Sequence, residues 1–214
     1  MPELPEVENI AQGLRHEIIN FTITDVKVLK PVIVRYPSIW RKTLHDVIGG
    51  DIVKVTRRGK RLILSLVNGG AILIQLGMTG KVIVAQANSP IPLHTHMRIH
   101  LSDGREVRFI DPRRFGRVWF FSQLDFYHPD AQMETAGMGK LGLEPFAITP
   151  KQFRDILKSA RPIKTLLLDQ SRIAGLGNIY ADESLFAALI RNVQQGRVLV
   201  DRLPAGARVG QEDG

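Results

Sequence analysis

The sequence predicts an α+β fold: an N-terminal helix, then about eight short antiparallel strands, then a helical segment. Three observations carry this. Apolar residues recur at three- and four-residue steps over 3–19. Short β-branched runs separated by tight turns fill 21–121. Beyond residue 121 the spacing becomes helical again.

In the first helix, Val7, Ile10, Leu14 and Ile18 form one apolar face. Its first turn combines proline with Glu3 and Glu6, residue types favoured at a helix start. Strands are expected at 21–29, 52–56, 61–67, 71–76, 81–85, 97–101, 106–110 and 118–121. Arg58-Gly59, Asn68-Gly69-Gly70, Thr79-Gly80 and Asp103-Gly104 mark turns between them. Such a series suits an antiparallel sandwich or barrel.

Residues 122–146 lack a period and contain Gly137, Gly139 and Gly142, which reads as a linker. Thr149-Pro150 starts a helix, with threonine as N-cap and proline in its first turn. Phe153, Ile156 and Leu157 are its apolar stripe. Further helices are expected at 163–170 and from Asn178 to about Ala188. Residues 189–214 carry scattered arginines and glycines without a sustained stripe, which predicts a disordered tail.

The 214 residues carry a formal net charge of +8, which suits a polyanion, nucleic acid before membrane. Hydrophobic residues make up 44%, enough for a core and against wholesale disorder. The chain has no cysteine, so it offers neither disulfides nor thiolate metal ligands. No apolar run approaches a membrane span and no signal peptide precedes the core, so the chain is read as cytoplasmic.

Six ordered blocks carry a resemblance. The chain opens Met1-Pro2-Glu3-Leu4-Pro5-Glu6-Val7-Glu8. It continues with Arg57-Arg58-Gly59-Lys60, Leu76-Gly77-Met78-Thr79-Gly80 and Asp111-Pro112-Arg113-Arg114-Phe115-Gly116. Pro162-Ile163-Lys164 and Ala174-Gly175-Leu176-Gly177-Asn178-Ile179-Tyr180-Ala181 complete the set. In these blocks the chain resembles the formamidopyrimidine-DNA glycosylases, bifunctional repair enzymes that excise oxidised purines and then cut the strand.

The resemblance implies a catalytic β-sandwich domain over 1–121, a linker over 122–146, and a partial helix-two-turn-helix module over 147–188. It implies that Pro2, freed by removal of Met1, is the nucleophile. A terminal amine has a reference pKa of about 7.7–8.0, so part of it is unprotonated near neutrality. Glu3 matches the family's catalytic acid and Glu6 a carboxylate that orients the site. Local sequence alone reads both as first-turn residues. Lys60 matches a lysine that contacts the phosphate beside the lesion. A hairpin cation that discourages edge pairing is the competing reading. His96 matches a phosphate-binding histidine, with His94 close by. Met78, Arg113 and Phe115 match the residues that fill and wedge the duplex when a base is flipped out. Core methionine and turn phenylalanine are their commoner fates. Lys164 and Asn178 match phosphate contacts of the helical module, and Asn178 is also expected to cap its helix.

The expected partner is double-stranded DNA containing oxidised purines or abasic sites, met by a monomer. No cofactor is expected. Family members usually carry one structural zinc on four cysteines, and this chain has none, so truncation near Ala188 is inferred and Leu185, Phe186 and Leu189 are expected to be partly exposed. Two alternatives remain: a weakly active DNA-binding remnant of the family, and a basic β-domain that binds RNA.

Overall fold

The computed structural model describes residues 2–35, 40–121 and 140–200. They fall into two compact units that divide between Gly139 and Lys140.

The first unit opens with helix α1 (Leu4–Ile18). Leu4, Val7, Ala11, Leu14 and Ile18 are buried at the predicted spacing. Eight strands follow: β1 (Ile23–Val28), β2 (Ile52–Arg58), β3 (Arg61–Leu66), β4 (Ala71–Gln75), β5 (Lys81–Gln86), β6 (Thr95–Leu101), β7 (Arg105–Ile110) and β8 (Arg117–Phe121). They form two four-stranded antiparallel sheets, ordered β1-β6-β7-β5 and β2-β3-β4-β8. One apolar core, drawn from both sheets and α1, fills the space between them. The sequence expectation did not include a short 3-10 turn (Pro31–Ile33) or helix α2 (Trp40–Val47).

Register gathers three connections at one end of a sheet. Arg61 pairs with Gln75, so the β2–β3 turn lies beside the end of β4. Gln75 pairs with Arg117, so the loop before β8 lies there too. In the other sheet Ile110 pairs with both Lys81 and Thr95, which brings the start of β5 and the start of β6 to the end of β7.

A buried ion cluster fixes the connection after β5. Glu106 is fully buried and accepts from Arg98 and Arg108. The Arg108 guanidinium then donates to the carbonyls of Gln86, Ser89 and Pro90, at 2.8–3.0 Å. Burial pushes the Glu106 carboxyl up, and the two arginines more than offset this, leaving it below its ordinary value.

The second unit contains α3 (Pro150–Leu157), α4 (Ile163–Leu168), α5 (Asn178–Ala187) and α6 (Gly196–Val200). Thr149 caps α3 as predicted, its hydroxyl accepting from the Gln152 N–H at 3.2 Å. Three sequence expectations are corrected. Residues 140–146 belong to this unit: Gly142 and Leu143 donate to the Gln170 and Arg172 carbonyls. Residues 189–200 are folded: Ile163 donates to Gln194 at 2.7 Å, and Leu199 enters the helical core. A five-residue helix is too short to show a stripe, which is why the sequence did not reveal it. Finally, Leu185 is buried, whereas Phe186 and Leu189 are exposed. Residues 122–139 and 201–214 lie outside the described residues.

Candidate active site

Pro2, Lys60, Gln75, Leu76 and Gly77 line a small open cleft of about 30 Å³. Lys60 comes from the two-residue turn between β2 and β3. Gly59 has φ +56, the left-handed value that the first central position of such a turn demands. Burial pushes the Lys60 amine below its ordinary value, and the Glu3 carboxylate partly counters this.

Glu3 is only 3% exposed and serves as N-cap of α1. Its backbone N–H donates to the Glu6 carboxylate at 2.9 Å, in a capping box. The helix-start reading of these glutamates therefore holds as geometry. The same cap sets Glu3 within electrostatic reach of Lys60.

Sequence reasoning missed Glu8. Its carboxylate pairs with Arg15 at 2.9 Å and with Arg57 at 3.1 Å. Arg57 also donates to the Gly59 carbonyl at 3.0 Å, and Arg15 to the Val55 carbonyl at 2.8 Å. These contacts fasten α1 to the turn that presents Lys60. The available signal was the presence of Glu8 and Arg57 in two of the quoted blocks.

Met78 and Phe115 are 44% and 47% exposed, and Arg113 is exposed. Met78 stands on the β4–β5 loop, Arg113 and Phe115 on the β7–β8 loop. The loops touch through backbone: a Cβ on Gly77 would lie 2.6 Å from the Gly116 nitrogen. The fully buried Asp111 carboxylate joins them. One oxygen accepts from the Thr79 hydroxyl at 2.5 Å and the Arg113 N–H at 3.3 Å, the other from the Gly116 N–H at 2.7 Å.

His96 does not sit where a phosphate contact needs it. It is 2% exposed, and its Nε2–H donates to the Asp111 carbonyl at 2.7 Å. His94, two residues earlier, is the exposed histidine, with φ +66. His94 stands just before β6 in the left-handed conformation, whereas His96 lies within β6 with its ring turned onto the Asp111 carbonyl, and that difference explains the correction.

In the second unit Lys164 pairs with Asp182, an α4–α5 contact of 2.7 Å. Asn178 is exposed but does not cap α5. Gly177 occupies the N-cap and Asn178 is the first helical residue. Among the described residues, no group of three His, Asp or Glu is placed to hold a metal ion. With no cysteine in the 214 residues, they do not fit the family's four-cysteine zinc site. No described helix is long and apolar enough to cross a membrane.

A β-sandwich with this N-terminal cleft and a separate helical module defines a DNA-glycosylase fold. Residues 1–118 match the formamidopyrimidine-DNA glycosylase N-terminal domain, and residues 141–203 match the H2TH domain. The chain belongs to the formamidopyrimidine-DNA glycosylase family. It is 38% identical over 207 residues to the formamidopyrimidine-DNA glycosylase of Pelotomaculum thermopropionicum, covering 94% of this chain and 72% of that one. It is 41% identical over 205 residues to that of Crocosphaera subtropica, covering 93% and 70%. Among solved structures it resembles Lactococcus lactis Fpg bound to a DNA containing N7-benzyl-Fapy-dG. That match has a TM-score of 0.82 and 30% identity, and covers 94% of this chain and 72% of that one. MutM bound to carbocyclic 8-oxo-G DNA gives a TM-score of 0.82 and 29% identity, with coverage of 94% and 73%.

Proposed function

We propose that the protein is a bifunctional DNA glycosylase and AP lyase that removes oxidised purines, 8-oxoguanine and formamidopyrimidines, from double-stranded DNA. The observation that carries this reading is the cleft itself, where Pro2 lies beside a desolvated Lys60 and Lys60 senses the Glu3 carboxylate.

With Met1 removed, the Pro2 nitrogen attacks deoxyribose C1′. The glycosidic bond breaks and its electrons leave with the base, which takes up a proton. Glu3 delivers a proton to the ring oxygen as the C1′–O4′ bond opens, leaving an iminium on Pro2. Loss of a C2′ proton expels the 3′ phosphate, and a second elimination expels the 5′ phosphate. Glu6 holds the Glu3 backbone in place throughout. Lys60 contacts the phosphate beside the lesion. Met78, Arg113 and Phe115 enter the stack left open by the flipped base.

His94, not His96, supplies the histidine contact to phosphate, because His94 is the one within reach of solvent. Lys164 and Asn178 contact backbone phosphates from the helical module, with Lys164 exchanging Asp182 for phosphate. The net charge of +8 favours such a partner.

Borohydride trapping tests the reading. The wild type should give a stable crosslink to abasic-site DNA, and Pro2→Gly should sharply reduce it. Equal trapping by the variant would move the nucleophile elsewhere. Tight binding of lesion DNA without any trapping or excision would leave a DNA-binding protein of this family instead.

A further inference from the structure

The Asp111 carboxylate has an unusual position for a group the chemistry does not use. It is fully buried, and its side-chain hydrogen bonds run to two separate loops. Burying a carboxylate is costly unless directional donors satisfy it, so an apolar side chain would fill this space more cheaply. What the carboxylate adds is geometry. Thr79 follows Met78 directly, Arg113 is itself a donor, and Gly116 follows Phe115 directly. Each exposed side chain of the trio is therefore on, or next to, a residue that Asp111 holds.

The backbone of Asp111 is fixed as well. Its N–H donates to the His94 carbonyl at 3.0 Å, and its carbonyl accepts from His96 and from the Arg114 N–H. The Gly77–Gly116 approach leaves the two loops no room to slide past each other. Of the bonds to the Asp111 side chain, the one from Thr79 crosses to the β4–β5 loop, and the same hydroxyl accepts from the Arg113 N–H at 3.3 Å.

We propose that Asp111 and Thr79 are positioning residues that lock Met78 to Arg113 and Phe115, so that the two loops open a duplex as one rigid wedge. The proposal rests on the DNA reading given under Proposed function. A wedge built from two loops works only if their offset is fixed before DNA arrives. Otherwise ordering each loop backbone would subtract from the energy available for unstacking.

Thr79→Val tests this by removing the one hydroxyl that bridges the loops, and Thr79→Ser restores it. Three readouts are compared: excision of 8-oxoguanine from duplex, fluorescence of a 2-aminopurine placed next to the lesion, and borohydride trapping on single-stranded abasic DNA. Single-stranded substrate needs no wedge, so it reports the Pro2 cleft alone. Thr79→Val should lose roughly five- to tenfold in duplex excision and base opening, on the order of what the hydrogen bonds of that hydroxyl contribute. Single-strand trapping should stay at the wild-type level, and Thr79→Ser should recover duplex excision. If Thr79→Val does not fold, Thr79→Ala removes the same hydroxyl and is read in the same way.

Wild-type base opening in the variant would overturn the proposal. So would failure of serine to rescue, or an equal loss of single-strand trapping. Absence of single-strand trapping in the wild type would instead overturn the glycosylase reading, leaving the two failures distinguishable.

Discussion

The Arg113 guanidinium carbon lies 4.7 Å from the centre of the Phe115 ring, a cation–π contact on an exposed loop. Such a contact is worth about 0.5–1 kcal/mol at an exposed site. It keeps a polar and an apolar side chain together at the tip of the β7–β8 loop.

Because Met78 and Phe115 are nearly half exposed, truncating them should leave the fold intact. Met78→Ala and Phe115→Ala should each change stability by within about 0.5 kcal/mol, as surface substitutions do. Both should bind lesion-containing duplex several-fold more weakly. Calorimetry and fluorescence anisotropy make the comparison. A large fall in Tm with DNA binding unchanged would return both residues to a packing role.

Glu3→Gln separates capping from catalysis. The amide oxygen still accepts the Glu6 N–H, so the start of α1 is kept, yet the amide cannot deliver a proton. The variant should bind damaged DNA normally and lose base excision. Wild-type excision rates would leave Glu3 as a cap and nothing more.

Lys60 supplies a test by titration. Burial disfavours its ammonium form, and the Glu3 carboxylate restores part of the loss. NMR of the Lys60 side chain should show deprotonation below the ordinary lysine value of 10.5, and further below it in Glu3→Gln. The unfolded chain holds this proton more tightly, so burial of charged Lys60 opposes folding below the folded pKa, and that cost is relieved as pH rises towards the unfolded value. An unchanged Lys60 titration in Glu3→Gln would mean that the two groups are not coupled.

Glu8 acts in the acid range. Burial raises its pKa, but hydrogen bonds and charge from Arg15 and Arg57 outweigh this, and the net shift is downward. Its contribution to stability is therefore complete above the unfolded value of 4.5 and lost as pH falls through the lower folded pKa. Glu8→Gln should be less stable at pH 7 and show a shallower loss of stability on acidification. Parallel denaturation curves for the two proteins from pH 7 to pH 3 would contradict this.

The two histidines should part company. His96→Ala leaves the buried Asp111 carbonyl without the His96 donor and opens a cavity, a loss of about 1–3 kcal/mol from the hydrogen bond alone. His94→Ala should leave Tm unchanged and weaken DNA binding. Urea titration together with a DNA-binding isotherm distinguishes them, and the reverse pattern would restore His96 as the phosphate contact.

The strands were legible because their evidence is local. Glycine turns and β-branched runs set the ends of β3 and β4 to within one residue. Helix α2 was not legible, since eight residues with Val47 buried and Leu44 half-buried give little period to read. Pro2, Glu3 and Lys60 stood out from quoted blocks, and the structure lines one cleft with Pro2 and Lys60. The parts played by Glu8, Thr79 and Asp111 depend on register, such as Gln75 opposite both Arg61 and Arg117. No window of sequence contains that information. The choice between His94 and His96 failed for a related reason: what separates them is the left-handed backbone of His94 and the bond of the His96 ring to the distant Asp111 carbonyl, and neither is written in the tripeptide that holds both.

Arg108 has a consequence for how the protein meets its ligand. Its guanidinium takes three carbonyls of the 86–90 stretch, and the chain just beyond is held by Thr95 on Pro92 and by Asp111 on His94. The connection that ends in the exposed histidine is thus stiff at both ends although it carries no regular structure. Its conformational entropy is lost when the chain folds, not when it encounters a phosphate. Immobilising a flexible side chain at an interface costs about 0.5–1.5 kcal/mol. A version with this arginine removed would therefore bind more weakly, and with a more unfavourable entropy of association, although no group that touches the ligand had been changed.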